Sequence, residues 1–227
     1  MILDFLFPKK CLGCGKVGRY VCDRCLEDMP KISSFCFVCG RPSIDGVTHF
    51  KCKKKLSLDG VVAIWSYTGV LRKAILALKY KFAYEAAEDL VFSSFSFLES
   101  NYPLMFLKNV LLVSIPTAKK RNNWRGFNQT EIMGRMIAKH FGWKFSSNLL
   151  LRRKFFRSQT ELRGKERRKN IKGAFEVNPQ YKKVLESNPS IVIFDDVLTT
   201  GSTLKEAGKV LKRKGFKNVW GLVLAKS

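Results

Sequence analysis

Ile191-Val192-Ile193-Phe194-Asp195-Asp196-Val197-Leu198-Thr199-Thr200-Gly201-Ser202-Thr203 is the stretch on which the fold turns. Its first four residues have the length and character of a strand buried on both faces of a parallel sheet. Two adjacent acids end the run, where the carboxyl end of such a strand meets solvent. A loop of small hydroxyl residues with one glycine follows, and a helical pattern begins at Ser202 or Thr203. Strand, acids, small-residue loop and helix start, in that order, build a pocket for a sugar phosphate. The open N–H groups and dipole of a helix start favour an anion. Thr199, Thr200, Ser202 and Thr203 add hydroxyl donors, and Gly201 lets the backbone approach a phosphate closely. Ionised Asp195 and Asp196 only accept hydrogen bonds, so they suit ribose hydroxyls or waters around Mg2+. The alternative for the same residues is an ordinary strand-to-helix turn with a capping serine.

Downstream, a helix is expected from Ser202 to Lys214, stopped by Gly215, and a last strand over Val219 to Ala225. Two residues remain after it, so no C-terminal lid over an acceptor is expected. Acceptor specificity is then expected from the N-terminal third.

Upstream, all seven cysteines fall within residues 1–58. Cys11-x-x-Cys14 and Cys22-x-x-Cys25 can each place two thiolates on one ion, which gives the tetrahedral sulfur cage of structural zinc. Cys36-x-x-Cys39 lacks a partner pair of cysteines, but His49-Phe-Lys-Cys52 supplies a His-x-x-Cys. A second zinc site from Cys36, Cys39, His49 and Cys52 is therefore expected. Disulfides are the alternative, though a reducing compartment would keep these thiols free. Whether the knuckles pair in sequence or crosswise stays open. A module this small has few apolar residues, so metal must supply much of its folding free energy. Lys53, Lys54 and Lys55 crowd its end beside Phe50, as a solvated face or as an edge that contacts phosphates.

The division expected is a zinc module over 1–58 and an α/β domain over 59–227 with a buried parallel sheet. Strands are expected at Val61–Tyr67 and Val110–Ile115, with helices at Leu71–Lys79 and Tyr84–Leu98. Another helix carries Ile132, Met133, Met136, Ile137 and Phe141 as a core stripe and stops at Gly142. The basic loop after the second strand places Lys119 and Arg121, with Arg125 beyond, at the sheet edge where open α/β sheets bind ligands. From Leu151 to Lys172 the chain carries ten basic residues against Glu161 and Glu166. Self-repulsion is expected to keep that segment mobile until an anion arrives.

No apolar run approaches the ~20 residues of a membrane span, so an integral membrane protein is not expected. The N-terminus has its charges after the apolar patch, the reverse of a secretory signal, which favours the cytoplasm. The balance of 42 basic against 18 acidic residues, +24, points to a polyanionic partner. An anionic membrane surface and a generally basic proteome are the competing explanations.

The Asp195–Thr203 stretch resembles the phosphoribosyl pyrophosphate (PRPP) motif of type I phosphoribosyltransferases. Together with the paired knuckles, Leu78-Lys79-Tyr80, Arg125-Gly126-Phe127-Asn128-Gln129 and the span from Gln159 to Phe175, it makes nearly the whole chain similar to the ComF family. His49 stands where that pattern has a cysteine. The resemblance implies a parallel-sheet type I phosphoribosyltransferase (Rossmann-like) domain behind a zinc module. It implies that Asp195 and Asp196 hold the ribose hydroxyls while Thr199 to Thr203 cradle the 5′-phosphate. A loop bearing Gln159, Arg163, Arg168 and Asn170 would close over PRPP, with Mg2+ on the diphosphate. It also implies a role in natural competence, the uptake of single-stranded DNA.

Three functions follow as expectations. The first is a PRPP-binding protein that handles single-stranded DNA, with Lys53, Lys54 and Lys55 on the strand. The second is a phosphoribosyltransferase acting on an unidentified small acceptor. The third makes the zinc module a docking surface for a helicase or the uptake machinery.

Overall fold

The computed structural model describes residues 8–80, 84–101, 104, 107–117, 128–153 and 171–227. Lys119, Arg121, Arg125, Gln159, Arg163, Arg168 and Asn170 lie outside the described residues. Runs rich in β-branched and aliphatic residues form β1 (Gly60–Ser66), β2 (Val110–Ser114), β6 (Ser190–Leu198) and β7 (Val219–Lys226). Shorter strands are β3 (Lys144–Ser146), β4 (Leu150–Arg152) and β5 (Phe175–Val177). Helices are α1 (Asp23–Glu27), α2 (Gly69–Tyr80), α3 (Tyr84–Asn101), α4 (Gln129–His140), α5 (Lys182–Glu186) and α6 (Ser202–Arg213).

Five strands make one sheet in the order β1-β7-β6-β2-β3, and every neighbouring pair is parallel. A parallel sheet must be covered on both faces, and this one is. On one face α2, α3 and α4 bury Leu71, Ile75, Leu90, Met133 and Ile137 against Ile64, Leu112, Phe194 and Leu222. On the other, α6 buries Leu204, Ala207 and Leu211 against Val61, Val113, Ile193 and Val223. β4 and β5 form a separate antiparallel pair on that second face.

Residues 191–194 alone have strand character in sequence, yet β6 continues through Asp195 and Asp196 to Leu198. The cause is tertiary. β7 is long enough to pair Asp195 with Val223 and Leu198 with Lys226, so the ladder carries the chain past residues that disfavour strands. The acids therefore sit within the strand's last turns of pleat, held by the sheet on one side.

The cysteine-bearing segment divides between the two faces. Val21, Cys25, Leu26 and Met29 join the core beneath α2 and α3, whereas Phe35 and Leu58 join the core beneath α6. Asp89 of α3 accepts from Arg19 Nε at 2.9 Å and from the Val21 N–H at 3.0 Å, which fixes the first half. Between the halves, Pro30–Ile32 runs along the outer edge of β1. The Ile32 N–H donates to Ile64 O at 2.9 Å, and the Ser66 N–H to Pro30 O at 2.8 Å. An edge strand with open backbone groups is a pairing hazard, and this segment covers it.

Candidate functional site

The order β1-β7-β6-β2-β3 places a reversal between β2 and β6. The connection from β2 leads through α4 to β3 on one side, and β6 lies on the other. Ligands of open α/β sheets bind outside the carboxyl ends of the strands at such a reversal. The Ile115 N–H donates to Phe194 O at 3.0 Å, which carries the pairing one residue past β2. The Thr130 hydroxyl and the Asn128 amide then both donate to Ile115 O, at 3.1 and 3.3 Å. They hold the start of α4 against the crevice.

On the β6 side, Asp195 and Asp196 are partly buried, and Asp195 Oδ1 accepts from the Asp196 N–H at 2.9 Å. Thr199 and Thr200 are exposed, Gly201 is buried, and Ser202 begins α6. Gly201 has φ 69° and serves as N-cap with no side-chain cap bond. The Thr200 and Ser202 hydroxyls lie 2.8 Å apart. The Ser202 N–H donates to the Thr200 hydroxyl at 3.4 Å, and Gly201 itself supplies no side-chain cap, so the first turn of α6 presents its amides beside two hydroxyls, an arrangement that accepts an anion.

Phe37 was not singled out by sequence reasoning, and it belongs to this site. A Cβ at Gly201 would lie 2.7 Å from Phe37 Cε2 and 2.9 Å from Cζ, closer than packed carbons allow. The glycine is required twice, by its positive φ and by this aromatic ring. Phe37 sits between Cys36 and Cys39, so the second cysteine cluster sets the ring against the loop that enters α6. Only its place inside a Cys-x-x-Cys knuckle could have hinted at this.

The knuckles pair in sequence. Cys11, Cys14, Cys22 and Cys25 form one group, and Cys36, Cys39, His49 and Cys52 the other, with all ligand atoms in each within 4.8 Å of one another. The two are built alike. Gly15 donates to Cys11 O at 2.9 Å and Gly40 to Cys36 O at 2.8 Å, with φ of 79° and 75°. Cys11 donates to Lys16 O and Cys36 to Arg41 O, both at 2.8 Å, closing equivalent hairpins.

The groups fit zinc. Zn–S bonds of about 2.3 Å at tetrahedral angles require S···S edges of about 3.8 Å and S···N edges of about 3.5 Å. Cys14 Sγ lies 3.6 Å from Cys22 Sγ, and Cys39 Sγ lies 3.5 Å from His49 Nδ1. These contacts are ligand–ligand edges rather than hydrogen bonds. His49 Nε2 donates to Pro42 O at 3.0 Å, which fixes the tautomer and leaves Nδ1 to face the metal. Burial raises the Cys11 thiol, but the Cys14, Cys22 and Gly13 backbone N–H groups outweigh it and bring it down to about 6. In the same way Cys36 comes down to about 7, helped by the Cys39, His49 and Val38 N–H groups. Burial and neighbouring thiols instead push Cys25 up to about 12 and Cys52 up to about 11. Metal binding must displace the protons of the raised thiols, Cys25 and Cys52, so zinc affinity falls on acidification.

Of the three lysines expected on nucleic acid, Lys53 is engaged with Asp59 Oδ1 at 2.9 Å. Lys54 and Lys55 are exposed and line the same cleft as Thr200, Gly201 and Ser202. No helix among the described residues is long and apolar enough to cross a membrane.

Residues 2–54 match the family model of the double zinc ribbon domain. The chain is similar over most of its length to competence and DNA-utilization proteins. It is 26% identical to competence protein F of Haemophilus influenzae over 222 residues, covering 95% of this chain and 90% of that protein. It is 27% identical to the DNA utilization protein YhgH of Escherichia coli (strain K12) over 202 residues, covering 86% and 85%. It is 26% identical to competence protein ComFC of Bacillus subtilis over 208 residues, covering 88% and 81%. The resemblance to the ComF family read from the residues is borne out by these relatives, and structural zinc by the ribbon match and the two clusters.

Proposed function

We propose that the protein binds a ribose 5-phosphate of the PRPP type and handles single-stranded DNA in the cytoplasm during its uptake. The observation that carries the sugar-phosphate half is the place of Asp195–Thr203 at the reversal between β2 and β6. Acceptors stand on the strand and donors at the helix start, the division of labour that a ribose with a terminal phosphate needs. The names of the relatives and the net charge of +24 support the DNA half.

A transfer reaction on this site would break the bond between the anomeric carbon and pyrophosphate, through an oxocarbenium-like state. The acceptor's nucleophilic atom would form the new bond and lose its proton, and pyrophosphate would leave with the bonding electron pair. Asp195 and Asp196 would fix the ribose by its hydroxyls, and the α6 amides would fix the phosphate. The hard carboxylate oxygens of the pair suit Mg2+ held through water, and Mg2+ would supply charge neutralisation on the leaving diphosphate. The basic residues expected around that diphosphate are those outside the described set.

Calorimetric titration of PRPP with Mg2+ tests the reading. The wild type is expected to bind in a one-to-one complex, and Asp195→Ala/Asp196→Ala to lose at least about tenfold in affinity, the loss of two hydrogen-bonded carboxylates. Equal affinity in both would refute the assignment. Adding a dialysed metabolite pool and measuring pyrophosphate separates a transferase from a protein that only binds.

A further inference from the structure

Beside the phosphate loop, a pocket of about 770 Å³ lies between the second zinc cluster and the outer face of α6. Lys54, Lys55, Lys172, Lys205 and Lys209 line it. Its one acid among the described lining residues is Glu206, whose Oε1 accepts from the Gly173 N–H at 2.7 Å. Between the ammonium groups the walls are apolar, from Phe37, Leu56, Leu58 and Ile171. Thr200, Gly201 and Ser202 line it too, while neither Asp195 nor Asp196 does.

Two features constrain the occupant. Five lysines converging on one cavity call for more than one negative charge, and apolar walls of this area call for a planar or hydrophobic body. A nucleotide has both, a ring to lie against apolar side chains and a phosphate for the lysines. The pocket meets the phosphate loop at Thr200, Gly201 and Ser202, and the acids that would hold the ribose are not among its lining residues. A ligand group reaching into it must therefore be attached to the far side of the phosphate.

We propose that this pocket holds the nucleotide on the 5′ side of a phosphodiester whose phosphate occupies the Thr199–Thr203 loop, so that the loop takes a link of a single strand as well as a free 5-phosphate. This rests on the sugar-phosphate reading of the loop. The alternation of charge and apolar surface favours a single strand, because in a duplex the base would be stacked and out of reach. Strand and PRPP then compete for one phosphate position.

Fluorescence anisotropy of labelled dT12 and calorimetry of PRPP with Mg2+, both on the full chain, test this. Lys205→Ala/Lys209→Ala removes two ammonium groups one turn apart on the pocket side of α6. Lys139→Ala/Lys144→Ala removes the same charge at the far edge of the sheet and controls for non-specific attraction. The pocket pair is expected to weaken dT12 roughly tenfold and to lower the slope of log K against log salt by about 1.4, two single-strand contacts. It should leave PRPP affinity within about twofold, and saturating PRPP should weaken dT12 in the wild type. A pocket pair that behaves like the control pair, a wild type that does not bind dT12, or PRPP that binds without competing would each overturn the proposal. A wild type that binds dT12 but not PRPP sinks the sugar-phosphate reading instead, and the lysine pair alone then judges the pocket.

Discussion

Gly201 concentrates at one position what the site demands of the chain. Its φ of 69° costs an alanine about 1 kcal/mol. The Phe37 ring at 2.7 Å from the added Cβ brings a second penalty of overpacking, about 1–2 kcal/mol. Gly201→Ala is therefore expected to destabilise by about 2–3 kcal/mol, measured by urea unfolding, and to weaken PRPP. In a Phe37→Ala background the steric part should vanish and the cost of Gly201→Ala should fall toward about 1 kcal/mol. An unchanged cost would mean that the ring does not press on the loop. A glycine at this junction stands out in the sequence, but the reasons the structure gives for it are the positive φ and the crowded Cβ position. The partner that crowds it was not legible, because Phe37 and Gly201 are 164 positions apart, and no local pattern reports a contact of that separation.

At the scale of elements, the long strands and helices were legible from apolar runs and 3.6-residue spacing. Three-residue strands were not: β3, β4 and β5 carry too few residues for a period, and partners alone define them. The ligand sets of the two ribbons were legible for a chemical reason, since Cys-x-x-Cys and His-x-x-Cys put two donors on one ion whatever surrounds them. Their pairing was not, because the spacing permits either arrangement. It was decided by the hairpins that Gly15 and Gly40 close and by the faces on which each ribbon packs. Atomic emission is expected to find two zinc ions per chain. His49→Ala should retain about one, and His49→Cys should restore two, since a thiolate can replace the imidazole in a tetrahedral site. One zinc in the wild type, or two in His49→Ala, would remove His49 from the coordination sphere.

Over the whole molecule, one carboxylate joins pieces that the sequence keeps far apart. Asp59 immediately precedes β1, yet it accepts from Lys212 Nζ of α6 at 2.6 Å, from the Val219 N–H of β7 at 2.8 Å and from Lys53 Nζ of the second ribbon at 2.9 Å. The side chains of Asp59 and Lys212 are 11% and 9% exposed, whereas Lys53 is 53% exposed and contributes little. Burial alone would raise the Asp59 carboxyl, but the Lys212 bond, the Val219 N–H and Lys53 outweigh it and hold it below 3.8. Asp59→Asn leaves the Lys212 ammonium buried without its counter-charge, a loss of about 3 kcal/mol. A depressed carboxyl contributes stability that is fully present above its unfolded value, about 3.9, and is lost as the pH falls through the lower folded value. The stability gap between wild type and Asp59→Asn, followed by urea titration, should hold constant from pH 7 to 5 and narrow only below about pH 4. Proton-driven loss of zinc acts on both chains and drops out of the difference. A gap that closed near pH 6 would assign the effect to groups that titrate there, the cysteine clusters first among them. Asp59 would then owe its effect to the ribbon it touches through Lys53 and not to the α6 and β7 contacts that fix the outer wall of the pocket.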